Sequence, residues 1–476
     1  MPVYRSSRYN FVFPVRGGSL LYNANTGALV RLGGKDRGRI TKLLMRPGAS
    51  VLETRISRPM KTTLTEGGFI VAEGVDELLQ IRERYLKART DTPMVITITT
   101  TMDCNLGCYY CYEERSEARL ENANLGDLLS YTRRRLEVSG KKSLHVDWYG
   151  GEPLLNVEFL ETASAALQEL CQTQGVKYVA SVISNGTEWP EDVGAFVARH
   201  RIHQVQISFD GLKKNHDKRR RYRSKAIRAS GASSFDRAIA LVDRLLDCTR
   251  VDVRFNIDHK NKGDLLPFYE FAQGRGWFEK PFSAVIQPAR LAVYSAASSF
   301  LRSSELSVAE FDELRARLRA RFGSVALIEE SEVPDKYPYP KTGVCAALAS
   351  DSAVVGADAK IYRCGLQASE THRSVAALAG PSLKGIPIRM HGAPDRQAEE
   401  RAWWEAFDPT RLPTCSRCSF LPICWGGCPK KHLEGDQHAI AEQSEYWRRN
   451  LARLVTAGAE IVGNARIRIP RAQQFR

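Results

Sequence analysis

Between residues 93 and 300 the chain alternates two periods, and this alternation restricts the fold more than any other feature. "MVITITTTMD", "SLHVDWYGG", "KYVASVISNG", "VQISFDG", "VDVRFNID" and "FSAVIQPARL" are short and rich in β-branched residues, as strands are. Between them, "LENANLGDLLSYTRRRLEV", "VEFLETASAALQELCQT", "PEDVGAFVARH", "SFDRAIALVDRLLD" and "LLPFYEFAQGRG" carry helical spacing. Six such β/α units predict a parallel sheet, open or curled toward a barrel. Sheets of this kind bind ligands at the C-terminal ends of their strands. The loops after the first four strands hold Cys104, "GGEP", "SNG" and "SFDG", so four polar or cysteine-bearing loops fall on one rim.

The flanks read differently. Residues 1–92 form a separate module: "YNFVFPV" suits a strand, Asn25-Thr26-Gly27 separates two apolar runs as in a hairpin, and two helical stretches follow. That order predicts a winged-helix-like unit. Residues 301–343 start helical and become irregular, as a linker would. Over 344–476 periodicity weakens and cysteines crowd, before a final helix with a basic tail. The predicted architecture is α/β: a partial (β/α)6 TIM-like barrel over 93–300, the winged-helix-like module before it and a cysteine-rich domain after it.

Composition narrows the setting. No run of about eighteen apolar residues occurs, so no membrane span is expected. The N-terminus lacks the apolar stretch of a signal peptide, which points to the cytoplasm, where thiols stay reduced. Eleven cysteines there read first as metal ligands or catalytic groups. A net charge of +15 favours acidic partners without naming one. The densest basic stretch, "KKNHDKRRRYRSK" at 213–225, is read as a solvated loop, and no nucleic-acid-binding module is evident.

"CNLGCYYC" sets Cys104, Cys108 and Cys111 within eight residues and offers no fourth cysteine nearby. A structural zinc site wants four ligands, and a catalytic thiol gains nothing from two neighbouring thiols. A short loop with three thiolates suits an iron–sulfur cluster with one iron left open for chemistry. CxxxCxxC after the first strand of a βα repeat, with an aromatic residue before the last cysteine, resembles the radical SAM superfamily. The resemblance implies a four-iron–four-sulfur cluster on Cys104, Cys108 and Cys111. It implies S-adenosylmethionine chelated to the open iron and cleaved to a 5′-deoxyadenosyl radical that abstracts a substrate hydrogen.

The companion motifs follow that resemblance. Gly150, Gly151, Glu152 and Pro153 match the motif that receives the methionine amino group; the glycines would let backbone carbonyls approach the ligand, and Glu152 can accept from an ammonium. Tyr110 takes the place of the aromatic residue near adenine. Ser184 and Asn185, with Ser208 and Asp210, lie where the family places ribose and carboxylate contacts. Asn256 and Gln287 are further rim candidates.

"CSRCSFLPICWGGC" sets Cys415, Cys418, Cys424 and Cys428 in a CX2CX5CX3C array, with Cys345 and Cys364 upstream. After a radical SAM core this resembles the SPASM domain, which holds up to two auxiliary four-iron–four-sulfur clusters. The resemblance assigns Cys345, Cys364 and Cys428 to the first, and Cys415, Cys418 and Cys424 plus a seventh cysteine to the second. No cysteine follows Cys428; Ser444 stands near the seventh position, and His438 is another possible donor. Ala359 replaces the glycine usual five residues before Cys364. Gly365 stands where sulfatase-maturating relatives carry an aspartate base. Cys171, on an amphipathic helix, and Cys248, at a helix end, are read as core or surface thiols.

The expected function is that of a peptide maturase installing a carbon–carbon, thioether or ether cross-link in a precursor peptide. The N-terminal module resembles elements that grip leader peptides by adding them as a strand. An electron donor such as flavodoxin or ferredoxin is implied. The alternatives are maturation of a sulfatase-type residue, a small-molecule radical SAM reaction, or a zinc-binding, nucleic-acid-associated module without catalysis.

Overall fold

Strand β1 (Tyr4–Ser6) is followed by a meander, β2 (Asn10–Val15), β3 (Gly18–Asn23) and β4 (Leu29–Leu32), whose strands pair antiparallel in sequence order. The computed structural model describes residues 3–51, 56–293, 296–323, 337–379 and 395–462. Residues 324–336 of the expected linker and the basic tail beyond 462 lie outside the described residues. The β3–β4 turn is the expected one, with Gly27 at φ +73°. Helices α1 (Arg37–Leu44) and α2 (Arg58–Glu66), strand β5 (Ile70–Ala72) and helix α3 (Glu77–Asp91) follow, and β5 pairs antiparallel with β1. Leu21, Val30 and Leu32 from the meander close a core with Ile40, Leu44 and Leu64 from the first two helices.

The chain divides into two compact units: residues 1–91 with 330–344 and 406–476, and residues 92–329 with 345–405. The stretch after 344 therefore contributes to both.

In the second unit the alternation read from sequence appears as strands β6 (Met94–Thr99), β7 (Ser143–Tyr149), β8 (Lys177–Ser184), β9 (Ile202–Phe209), β10 (Arg250–Ile257) and β11 (Val285–Arg290). Helices α4 (Leu125–Ser139), α5 (Val157–Thr173) and α6 (Val193–Arg199) lie between the first four strands. Helices α7 (Lys213–Arg219), α8 (Lys225–Ala229) and α9 (Ser234–Leu245) separate β9 from β10; α10 (Leu265–Gly274) precedes β11 and α11 (Val308–Phe322) follows it. Neighbouring strands from β6 to β11 pair in parallel. Three short strands extend the sheet beyond β6: β12 (Ala353–Val355) parallel to it, then β13 (Lys360–Tyr362) and β14 (Ala376–Ala377) antiparallel, followed by α12 (Arg396–Ala406).

Side chains alternate across this sheet. Val146, Trp148, Ile207, Phe209, Val253 and Phe255 are fully buried, and Phe255 packs at a tilt against Phe268 of α10 with ring centroids 5.0 Å apart. The residues between them, among them Asp147, Gln206, Ser208, Asp252, Arg254 and Asn256, face the inner side. Cys171 is buried on α5, as expected of a core thiol, and Cys248 bonds its thiol to the helix-end carbonyl of Leu245 at 3.4 Å.

The C-terminal part of the first unit is helical: α13 (Pro413–Ser416), α14 (Leu421–Cys424), α15 (Pro429–Leu433) and α16 (Gln437–Val462). It packs onto the N-terminal module: Phe11 meets Phe420 at 5.0 Å, Tyr85 meets Trp425 at 5.4 Å, and Arg82 pairs with Asp408 at 3.0 Å.

Candidate active site

The loop after β6 crosses the ends of β7 and β8, and backbone bonds hold it there. Gly151 N–H donates to Thr101 O at 3.0 Å and Glu152 N–H to Asp103 O at 2.9 Å. Gly150 has φ +144°, and a Cβ there would lie 2.3 Å from Thr101 O; one at Gly151 would lie 2.3 Å from Asp103 O. These glycines let the cysteine loop press against the chain after β7. Glu152 is fully buried. Its carboxylate caps the turn at Pro153, accepting from Leu154 N–H at 3.3 Å, and also accepts from Ser184 Oγ at 2.9 Å and Asn185 N–H at 2.7 Å. Burial pushes its pKa up to about 7 despite those donors.

The same strand end reaches the first thiol. Asn185 Nδ2 donates to Cys104 Sγ at 3.7 Å and to Asn105 Oδ1 at 2.8 Å. Ser184 and Asn185, expected at ribose or carboxylate, bond Glu152, and Asn185 also bonds the cysteine loop. Burial, then the charges of Glu152 and Cys108, push the Cys104 thiol up to about 12, and burial chiefly pushes Cys111 up to about 11. Burial raises Cys108 too, while Arg220 opposes the rise. Among the described residues no three His, Cys, Asp or Glu groups converge closely enough for a single metal ion. A cubane places its thiolates on separate irons and asks for a wider spacing. Three thiols that are costly to ionise alone, on one short loop, suit a strongly cationic multi-iron partner.

The basic stretch at 213–225 is not a solvated loop, contrary to expectation. Helix α7 buries His216 and Arg219, and the residue that follows it, Arg220, is buried too, because the carboxylates that neutralise the arginines are themselves buried. Arg219 pairs with Asp210 and Asp258, each at 3.0 Å. Arg220 Nη1 donates to Tyr110 Oη at 2.7 Å and lies 3.6 Å from Asp210, while its Nε is buried without a hydrogen-bond partner among the described residues. Tyr110 Oη also donates to Asp210 at 2.7 Å, and Asn256 Nδ2 lies within 3.4 Å of both. Asp210, expected as a ribose or carboxylate contact, bonds Tyr110 and pairs with Arg219 and Arg220 in this network. Sequence reasoning missed Arg219 and Arg220; the signal was two carboxylates, Asp210 and Asp258, at successive strand ends, each needing a buried counter-charge.

Deeper in the sheet, Asp252 accepts from Arg250 Nε at 2.9 Å and Gln287 Nε2 at 3.3 Å, which places Gln287 below the rim. Asp147 bonds Ser181 and lies 3.1 Å from His145 Nε2. Ser208 has no side-chain hydrogen bond among the described residues.

Cys345 and Cys364 belong to the second unit and Cys428 to the first. Arg363 ties the first two segments together, donating to the carbonyls of Ala347 at 3.0 Å and Ser352 at 2.8 Å. In the first unit burial, then the charges of Cys424 and Cys418, push the Cys415 thiol up to about 11, and burial chiefly raises Cys424. His438 is exposed on α16 and Ser444 is partly buried there. His432, which sequence reasoning did not single out, bonds Gly426 O at 2.8 Å, and a Cβ on Gly426 would lie 3.7 Å from Cys415 Sγ and 3.8 Å from His432 Nε2.

A parallel sheet whose C-terminal rim carries three thiols on one loop, braced by a buried glutamate, defines a class. Residues 98–272 match the family model of the Radical SAM superfamily. The chain carries a radical SAM domain and is an enzyme of the class that uses S-adenosylmethionine and a four-iron–four-sulfur cluster. Its relatives include the serine-type anaerobic sulfatase-maturating enzyme of Klebsiella aerogenes, 22% identical over 345 residues, 68% of this chain and 77% of that enzyme. Mycofactocin maturase MftC of Mycolicibacterium smegmatis is 26% identical over 186 residues, 38% of this chain and 41% of its own length. The solved structure of native anSMEcpe with bound AdoMet and Cp18Cys peptide superposes with a TM-score of 0.56 at 17% identity, over 78% of this chain and 100% of that one, and shows a shared fold. No helix among the described residues is long and apolar enough to cross a membrane.

Proposed function

We propose that the protein is a radical SAM peptide maturase that installs a cross-link in a precursor peptide. The observation that carries this reading is the Cys104–Cys108–Cys111 loop braced on Gly150, Gly151 and buried Glu152, in a chain whose relatives include maturases. Cys104, Cys108 and Cys111 would hold the cluster, with Cys345, Cys364 and Cys428, and Cys415, Cys418 and Cys424, at auxiliary clusters. The chemistry supplied by the bound cluster and S-adenosylmethionine is reductive cleavage to a 5′-deoxyadenosyl radical that removes a substrate hydrogen. The chain's own residues do the rest. Asn185 and Arg220 set donors and positive charge against the thiolates of Cys104 and Cys108. Buried Glu152 accepts from an ammonium, and the unpartnered Nε of Arg220 offers a donor to an anionic group. The N-terminal meander would receive the leader peptide along a strand edge, and a flavodoxin or ferredoxin would deliver the electron.

The test is anaerobic reconstitution with iron, sulfide and a chemical reductant. Wild-type protein forms 5′-deoxyadenosine and Cys104→Ala does not; persistence of that product in the variant overturns the assignment. Coexpression with a short acidic-leader peptide encoded beside the gene, followed by mass spectrometry, reads the cross-link as loss of hydrogen mass.

A second reading, maturation of a sulfatase-type residue, is favoured by the similarity to the sulfatase-maturating enzyme. Gly365 supplies no carboxylate beside Cys364. Oxidation of a serine- or cysteine-bearing sulfatase peptide by the reconstituted protein would decide for it.

A further inference from the structure

We infer that Arg254 is a carboxylate-recognition residue on the inner face of the parallel sheet, selecting an acidic side chain of the substrate. This rests on the reading of the protein as a peptide-modifying radical SAM enzyme.

Strand β10 puts Val253 and Phe255 fully into the core on one side. Alternation turns Arg254 to the inner face, between Asp252 and Asn256. Its cross-strand partners are Ser208 of β9 and Gln287 of β11, so it sits mid-wall rather than at an edge. Its Nε donates to Asn256 Oδ1 at 3.1 Å. That bond fixes the plane of the guanidinium and leaves both terminal nitrogens without a hydrogen bond or ion pair among the described residues. The nearest acidic position on the strand, Asp252, is occupied by Arg250 and Gln287. Ser208 and Gln206, on the neighbouring strand, likewise spend no side-chain hydrogen bond among the described residues. The inner wall therefore presents a pinned, half-buried cation with its two-pronged end free and uncommitted polar groups beside it. A guanidinium in that state is matched by a planar carboxylate, which takes both prongs at once.

Two carboxylates could reach it: one on the substrate, or that of S-adenosylmethionine. Arg220 is the better placed for the cosubstrate, being beside Cys108 with a buried, unpartnered Nε. Arg254 lies two residues further down its strand than Asn256, which touches the Tyr110–Asp210 network at the rim. This assigns it to the substrate.

The test is affinity selection on reconstituted, S-adenosylmethionine-loaded full-length protein from a randomised N-acetylated octapeptide-amide library. It is run in about 0.3 M salt, where exposed charges are screened within several ångströms. Wild type enriches Asp and Glu over Asn and Gln by about tenfold, as one charge-assisted pair would give. Arg254→Gln loses that enrichment, and Arg254→Lys, which keeps the charge but not the fork, retains part of it. Equal enrichment by Arg254→Gln, which would trace selection to the general positive charge, overturns the proposal, as does wild type without acidic preference. A rise of about tenfold in the KM for S-adenosylmethionine in Arg254→Gln, measured by peptide-free cleavage, would place the carboxylate on the cosubstrate and also overturns it. Wild-type protein that selects acidic peptides but forms no 5′-deoxyadenosine contradicts the radical SAM reading and leaves the Arg254 assignment standing on its own data.

Discussion

The two cysteine-bearing turns are built on opposite principles. The 104–111 loop is shaped from a distance: Gly151 and Glu152 beyond β7 hold its entry at Thr101 and Asp103, and Asn185 beyond β8 and Arg221 and Arg223 beyond α7 bond the loop itself. The 415–428 array takes most of its backbone bonds from itself, with Lys341 adding bonds to the carbonyls of Pro422 and Cys424. Cys418 N–H bonds Cys415 O at 3.0 Å, Cys424 N–H bonds Phe420 O at 3.0 Å, and Gly427 N–H bonds Cys424 O at 3.3 Å. Trp425, Gly426 and Gly427 are consecutive residues with φ of +50°, +77° and +80°. For Trp425 that conformation costs roughly 1–2 kcal/mol. Burial against the Tyr85 ring offsets it. A turn made locally can bend at one residue without losing the others; a loop made by distant strand ends cannot.

One substitution in each turn tests this contrast. In Gly151→Ala the new methyl meets the backbone oxygen of Asp103 at 2.3 Å and that of Met102 at 2.9 Å, neither of which can rotate away. The expected outcome is loss of on the order of 4 kcal/mol in a urea titration and loss of the iron bound near Cys104. In Gly427→Ala the methyl meets the side chain of Gln443 at 2.7 Å, which can move, so the cost is mainly the left-handed φ, about 1–2 kcal/mol. Equal costs would break the comparison.

Smaller effects are expected where the loop is held by charge. Asp210→Asn keeps the shape but leaves Arg219 and Arg220 short of a buried counter-charge. A loss of about 3 kcal/mol is expected, at the low end for breaking a buried pair because Asp258 still holds Arg219. Urea unfolding of the apo-protein measures it. A variant as stable as wild type would mean that the network does not hold Tyr110.

His216 gives a pH-dependent test of the same helix. It lies fully buried beside Phe209 and Phe235, with neither ring nitrogen hydrogen-bonded among the described residues. Burial, then the charges of Arg220 and Arg219, hold its pKa well below the usual value. Below a pH of about 6.5 the unfolded chain therefore binds a proton that the folded chain refuses. Its contribution to stability is complete above that pH and falls as the pH drops through the acid range. His216→Phe should remove that slope while keeping the packing, read as urea midpoints between about pH 4.5 and 7. An unchanged slope would show that another group carries it.

The contrast also explains what could be read from sequence. The six parallel strands were legible because their residues repeat over six to eight positions. Strands β12, β13 and β14, of three, three and two residues, carry too few to show a period, so the edge of the sheet beyond β6 was not foreseen. The three thiols and "GGEP" were legible as neighbours on one rim because strand order fixes where loops emerge. What Glu152, Ser184 and Asp210 bond to was not, because those partners lie across strands and a one-dimensional motif does not say which way a side chain turns. The burial of Arg219 and Arg220 was hidden for the same reason: "KRRRY" looks solvent-seeking until Asp210 and Asp258 are seen beneath it.

The smallest predicted effect concerns Ala359, which stands where the resembled family usually has a glycine. It lies in the turn joining β12 to β13, where Gly356 N–H bonds Lys360 O at 2.8 Å and Ala359 N–H bonds Gly356 O at 3.0 Å. That closure holds Ala359 at φ +56°, a left-handed conformation that glycine adopts freely and alanine does not. The penalty falls on the hairpin that carries Cys364 two residues beyond β13. Ala359→Gly relieves roughly 1 kcal/mol of strain, partly cancelled by the greater freedom of glycine in the unfolded chain. The net expectation is a gain of about 0.5 kcal/mol in the urea midpoint. If stability falls instead, the methyl of Ala359 contributes packing that outweighs the strain. The Cys364 turn would then depend on neighbouring side chains, as the 104–111 loop depends on distant strand ends, and not on its own backbone.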